Sequence, residues 1–482
     1  MFYPSPHYTS NAASALFIIL FLSVLAQTAY HLDYLSLQPA SAAPSLRDPN
    51  LKVEVVAEGL SFPTTMAFLG PDDILVLEKN NGTVQRILNG TLLADPVLDV
   101  NVANKYERGM IGIAVLSKEQ QQQKQEQETG ITGTNNTNTN NTNNTIANAT
   151  YVYLYYTETD VEGSDVCPKP GYCVSQHKPF GNRIYRYEWD NSTGQLVNPA
   201  LILDLPANPV PINNGGKLAI GLDNNIYFTV GDLNQRSATQ NFPNRTAYNE
   251  TSGIYRITPD GRPVQPILGN EHPLDKYYAY GIRNSFGIDF DPVTGKLWDT
   301  EDGPAFGDEI NLVEPGFNSG WRKVQGVWNI TEVTAPGGRV NFTDLDNKVV
   351  GLDPVGLEVF GNRGVYSSPE FTWFNSTAPT AIVFLHSSKL GYQYENDIFV
   401  GDYGPGYIYH FKLNQNRTGL LLEGPLNDKI SNLPAETENI IFGEGFRTIT
   451  DIQVGPHDGY LYVISSGAEG KIYRIVPASM SS

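Results

Sequence analysis

Apolar and polar residues alternate in short runs along most of the chain after residue 50, and helical spacing is almost absent. Alternation at period two turns one side of each run to a core and the other to solvent, so these runs read as β-strands. They recur as a unit: an apolar strand, a turn built from Pro, Asp and Gly, then an apolar-aromatic strand. The unit stands at Met66 to Ile87, Leu218 to Asp232, Gly287 to Gly303 and Asp451 to Val476. Two looser copies are Gly112 to Ser117, continued at Tyr151 to Glu158 across an insertion, and Ile382 to Leu413 with a longer turn. Six copies of one hairpin predict an all-β, six-bladed β-propeller of four-stranded antiparallel blades, with Phe68, Ile220, Phe290 and Phe384 packed between blades. A two-sheet sandwich or jelly roll would not repeat one hairpin whose second strand so often ends in Asp or Gly.

The predicted propeller takes in residues 47–482. Within it, Lys118 to Thr150 is Gln-rich and then Asn/Thr-rich, with too few apolar groups to order itself, and reads as a disordered, solvated insertion. Residues 1–46 hold no Lys or Arg, and Ala12 to Ala29 is a largely apolar run. That run reads as a signal peptide or as an N-terminal membrane anchor followed by a spacer; its helix would be about 27 Å long. Thirteen Asn-x-Ser/Thr sequons agree with an extracytoplasmic, glycosylated protein, secreted or anchored at its N-terminus. Cys167 and Cys173 enclose a Pro/Gly turn and read as a local disulfide. A net charge of -19, from 32 Lys+Arg against 51 Asp+Glu, argues against nucleic acid and leaves small uncharged or cationic partners.

Two polar clusters carry candidate chemistry. Arg283 and Asn284 place a guanidinium fork and an amide beside small residues, suited to an anionic or carbonyl-bearing ligand. Gly303 and Pro304, followed by Asp308 and Glu309, offer carbonyl and carboxylate oxygens to a hard cation such as calcium.

Together with Gly215 to Asp232 and Glu107 to Val115, these stretches resemble the soluble quinoprotein sugar dehydrogenases, the aldose or glucose/sorbosone dehydrogenase family. The resemblance runs over about residues 52–477. It implies oxidation of an aldose or related sugar hydroxyl, with pyrroloquinoline quinone (PQQ) and calcium as cofactors and an external electron acceptor. It places Arg283, Asn284 and Asp232 at the quinone, Glu107 and Asn213 beside the reacting sugar, and Gly303, Pro304, Asp308 and Glu309 at the metal. The chain departs from the family in three places. Asn213 stands where the family's base histidine would open a His-x-Gly-Gly stretch, and an amide takes up no proton at neutral pH. Asp302 replaces a second family histidine, and a desolvated carboxylate could serve as a base. The loop Gly401 to Phe411 holds no Lys or Arg where the family places cations for the cofactor's three carboxylates. The alternative these departures leave open is a catalytically degenerate extracytoplasmic propeller that binds a sugar, glycan or protein. A calcium-dependent lactonase or esterase using Asp232, Asn284 and Asn213 is the remaining option.

Overall fold

The computed structural model describes residues 43–129, 149–160, 179–207, 210–235, 239–242, 248–333, 340–342, 354 and 356–478. The N-terminal apolar run, the cysteine pair and most of the Asn/Thr-rich insertion lie outside them. Among the described residues no helix is long and apolar enough to cross a membrane.

Asp side chains make the recurrent hairpins. Asp223, Asp291 and Asp458 each accept a hydrogen bond from the backbone N–H two residues on, at 3.1, 3.0 and 3.1 Å, and so fold the turn between two strands. Tyr227 and Tyr462, on the strands that follow, donate their hydroxyls back to Asp223 and Asp458. One local device thus repeats around the molecule.

The result is an all-β propeller. Sheet I is Pro63–Gly70, Asp73–Glu78 and Thr83–Leu88 with two short edge strands. Sheet II is Met110–Leu116, Tyr151–Glu158, Gly181–Asp190 and Gln195–Leu205. Sheet III starts at Leu218–Ile220, sheet IV at Ser285–Phe290 and sheet V at Pro379–Phe384. Sheet VI is Ile449–Val454, Leu461–Ser465 and Gly470–Pro477, completed by Leu51–Leu60 from the other end of the chain. The first strand of each sheet touches the first strand of the next, and Ile449–Val454 returns to Pro63–Gly70, closing a ring about a central channel. Successive sheets share apolar cores, such as Leu77 with Leu154, Tyr155 with Phe228, Trp298 with Phe384, and Ile464 with Val76. Full burial of such side chains supplies about 1.5–3 kcal/mol each.

Three expectations are corrected. Uniform four-stranded blades do not form: sheets II and VI have four strands, I, IV and V have five, and III has six. The extra strands come from connecting segments that add at the outer edges, some of them in parallel, such as Phe317–Asn318 with Val365–Tyr366. A further three-stranded sheet, from Val324–Gln325, Trp328–Val333 and Val340–Phe342, raises the sheet count to seven against the six blades expected. Phe384 is buried as expected, but Phe68, Ile220 and Phe290 are only half-buried; Phe68 and Ile220 line a cavity of about 740 Å³ at one mouth of the channel. The insertion opens with an α-helix, Lys118–Thr129, whose Glu119 and Gln120 line the same cavity.

Candidate active site

The other end of the channel gathers loops that follow or precede the inner strands of sheets II, III and IV. The loop before Leu218–Ile220 carries Asn213 in a left-handed conformation (φ 57°), which Asn tolerates. It approaches Gly231 so closely that a Cβ there would stand 2.2 Å from the Asn213 carbonyl. Asn213 Nδ2 donates to Asp232 Oδ1 at 2.6 Å, and Trp321 Nε1 donates to Asp232 Oδ2 at 2.9 Å. Asn234 N–H is a third donor to Asp232, at 2.7 Å. A backbone bond from Asp232 to the Arg283 carbonyl, 2.8 Å, ties the end of a sheet III strand to the segment entering sheet IV, and one from Asp302 to the Asn284 carbonyl, also 2.8 Å, extends the first hairpin of sheet IV.

Glu107 arrives from the loop before Met110–Leu116. Its Oε2 accepts from Asn214 N–H at 3.1 Å and from Asn284 Nδ2 at 3.2 Å, while Asn284 Oδ1 accepts from Gly215 N–H at 3.1 Å. Burial pushes the Glu107 carboxyl up, opposed by the Asn214 hydrogen bond and by the charge of Arg283. Arg283 donates through Nη1 to the Asp302 carbonyl at 2.8 Å, and its guanidinium carbon stands 5.7 Å from the centre of the Trp321 ring. Asp302 is held well above the usual carboxylate range by burial and by Asp308, and its Oδ1 has no hydrogen-bond partner. Glu107, Asn213, Asp232, Arg283 and Asn284, dispersed over 178 positions of sequence, therefore share one hydrogen-bonded cup.

The expected metal set does not come together. Asp308 and Glu309 are neighbours on the strand Phe306–Val313 and point to opposite faces of it. Asp308 is filled by donors: Gly303 N–H at 2.8 Å, Thr377 N–H at 2.7 Å, Ala378 N–H at 2.8 Å and Ser376 Oγ at 2.9 Å. It clamps two loops and has no lone pair left to aim at an ion beside Glu309. Glu309 faces the same way as Asp299, Glu301 and Asn311, because Glu301 pairs with Glu309 and Asp299 with Asn311 in adjacent strands. Ser319 Oγ lies 2.7 Å from Glu301 and 3.1 Å from Glu309. Both Asp299 carboxylate oxygens, Asn311 Oδ1 and Gln325 Oε1 are buried without a donor. Burial pushes Asp299, Glu301 and Glu309 upward, and the charge of Glu301 adds to it at Asp299 and Glu309, while hydrogen bonds and Arg283 oppose it at Glu301. No group of three or more Asp, Glu, His or Cys among the described residues stands in ligating geometry.

Trp321, Asn214 and Asp299 escaped the sequence reading. Trp321 carries no charge to draw notice. Asp299 was visible, because period two puts it on the face of Glu301. In the cation-free loop, Asp402 accepts from Gly406 N–H at 2.6 Å, Tyr407 N–H at 3.1 Å and Tyr409 Oη at 3.0 Å, which spends its charge on the loop's own turn. Toward an anionic quinone the residues fit at one edge, where Arg283 and the Trp321 ring lie, and Gly401 to Phe411 adds no cation.

The family model for Glucose / Sorbosone dehydrogenase matches residues 60–339. The aldose sugar dehydrogenase YliI of Escherichia coli is 27% identical over 266 residues, covering 55% of this chain and 60% of its own length. Quinoprotein glucose dehydrogenase B of Acinetobacter calcoaceticus is 27% identical over 261 residues, covering 51% of each chain. The chain thus spans less than two thirds of both relatives. The apo crystal structure of the soluble aldose sugar dehydrogenase of Escherichia coli aligns over 89% of this chain and 99% of its own, with TM-score 0.62 and 20% identity, a likeness of fold. A match over more than half its length, on the stretch that supplies Glu107, Asn213, Asp232, Arg283 and Asn284, makes this chain a member of the glucose/sorbosone dehydrogenase family.

Proposed function

We propose that the protein oxidises a hydroxyl of an aldose or related sugar, with PQQ as electron acceptor and an external acceptor beyond it. The observation that carries this reading is the convergence of Glu107, Asn213, Asp232, Arg283 and Asn284 in one cup within a chain of this family. The names of the matched relatives, an aldose sugar dehydrogenase and a quinoprotein glucose dehydrogenase, supply the substrate class and the cofactor. When bound, the quinone supplies two-electron acceptance. Arg283 and Trp321 would hold it, through a charge-assisted contact and a ring face. With no cation in Gly401 to Phe411, its affinity is expected to be lower than in a pocket that pairs all three carboxylates. Tyr106 and Tyr403, each 53% exposed, are available at Glu107: Tyr106 precedes it, and Tyr403 feels its charge. Such rings suit the apolar faces of a sugar.

Calcium belongs to the proposal only at the orphaned oxygens of Asp299, Asn311 and Gln325, which suit a hard cation, in place of Asp308 and Glu309, whose oxygens are filled by donors. Sheets I to VI are proposed as six blades, supported by the closed ring of their first strands. Extracytoplasmic placement rests on the leader-like run and the sequons.

Reconstitution with calcium and PQQ, followed by the quinone absorbance as aldoses are added, tests the reading. Aldose-dependent reduction is expected. Sugar binding by calorimetry without any reduction would replace it with the binding-only propeller.

A further inference from the structure

We infer that Glu107 is the proton acceptor for the sugar hydroxyl, in the position the missing imidazole leaves open. The inference rests on the sugar-oxidation reading above and adds the residue that makes it work without histidine.

The other groups in the cup are excluded by what they already do. Asn213 is an amide, and its nitrogen is committed to Asp232. Asp232 has donors on both oxygens, from Asn213 and Asn234 on one and Trp321 on the other, and is 2% exposed. It positions its neighbours and is buried out of reach of a substrate. Asp302 has the opposite defect: burial and the like charges of Asp308, Glu107 and Glu301 raise its carboxyl, and no donor reaches its Oδ1 to orient it. The described histidines are elsewhere. His272 bonds Lys276, His410 bonds Asp397 and stacks on Phe399, His386 bonds its own strand, and His457 lines the far cavity.

Glu107 alone combines anchorage with an open oxygen. Two N–H donors fix Oε2, which favours the carboxylate and sets the plane of the group. Oε1 takes neither bond and is not among the buried, orphaned atoms. The charged or titratable groups facing it are Arg283, which favours the anion, and Asp302 and Tyr403, which are neutral when protonated. Burial lifts the carboxyl above the ordinary glutamate value, making it a better base than a solvated one. In the step, the sugar O–H bond breaks and its proton goes to Oε1, giving a neutral carboxylic acid. The adjoining C–H bond would break with its hydrogen leaving together with the electron pair, as a hydride that a bound quinone would accept, and the carbon would become a carbonyl.

The test uses the full chain loaded with PQQ. Glu107→Gln is expected to slow aldose-dependent reduction about 10²- to 10⁴-fold with little change in KM, and to abolish the fall in rate toward acid pH. In protein without sugar or cofactor, carboxyl-carbon NMR is expected to show a glutamate titrating above the usual range that vanishes in this variant. Adding Asn213→His to Glu107→Gln, with Asp232 in place to orient the new ring, is expected to restore rate with a new pH limb. Rates within a few-fold of the parent in Glu107→Gln, or a 107 carboxyl with an ordinary titration, would overturn the role and leave the sugar reading standing. A parent that reduces no quinone with any aldose would overturn both. Loss of the melting transition in Glu107→Gln would be met by Glu107→Asp, which is expected to keep the acid limb at reduced rate; its absence there also overturns the role.

Discussion

Two sets of buried charges sit a short way apart in this ring, and they are treated in opposite ways. Lys217, at the start of sheet III, reaches Asp451 of sheet VI at 2.6 Å, and Thr65 Oγ1, Met66 N–H and Gln453 fill the rest of the carboxylate. Every charge there has a partner, and the cluster ties three sheets across the channel. On sheet IV, Asp299, Glu301 and Glu309 share one face with no lysine or arginine side chain hydrogen-bonded to them among the described residues, and four oxygens of Asp299 and its amide neighbours lack donors. Where charge serves the ring, it is matched. Where it is left unmatched, the chain carries a cost, and the proposed cation is what would offset it.

The contrast can be broken most severely at the matched set. Lys217→Met should strip Asp451 of its cation while both stay buried, with a loss of about 3–5 kcal/mol in urea unfolding. Replacing Asp451 as well should recover most of it. A single variant as stable as the parent would mean that the pair does not hold the sheets.

Next in size is Asp308→Asn. It removes an anion with four donors and should cost about 2–3 kcal/mol, equally in calcium and in chelator, because this carboxylate acts as a loop clamp. A loss seen only with calcium present would return Asp308 to the metal.

The smallest effect sharpens the unmatched side. The folded protein holds protons on Asp299 and Glu309 more tightly than the unfolded chain does, since burial and the charge of Glu301 raise both. Their contribution to stability is therefore poorest above the raised folded-state values and improves as pH falls toward the ordinary carboxylate range. In chelator, Asp299→Asn is expected to stabilise by about 1 kcal/mol at pH 8 and by less at pH 5. With calcium the sign should reverse, since the variant loses a ligand. Thermal melts in the four conditions decide it.

Local patterns were readable and distant pairings were not. The Asp-turn hairpins announce themselves within ten or so residues, because Asp223, Asp291 and Asp458 fold their own turns. The association of Glu107, Asn213 and Arg283 came through resemblance, since 176 positions separate the outer two and no local rule links them. Lys217 with Asp451 had neither aid. The metal set failed for a reason already present in the string: adjacent residues of a strand face apart, so Asp308 and Glu309 could not serve one ion. The added edge strands, such as Phe317–Asn318, are two residues long and too short to show a period.

Sheet VI has a consequence for how the chain is made. Leu51–Leu60 pairs along its length with Gly470–Pro477, so this strand leaves a ribosome long before its partner is made. Hairpins of sheets I to V can form as they emerge, but the ring stays open until Gly470–Pro477 has been made. A chain cut short before Gly470 would keep most of its hairpins and lose the closure that brings Ile449–Val454 against Pro63–Gly70.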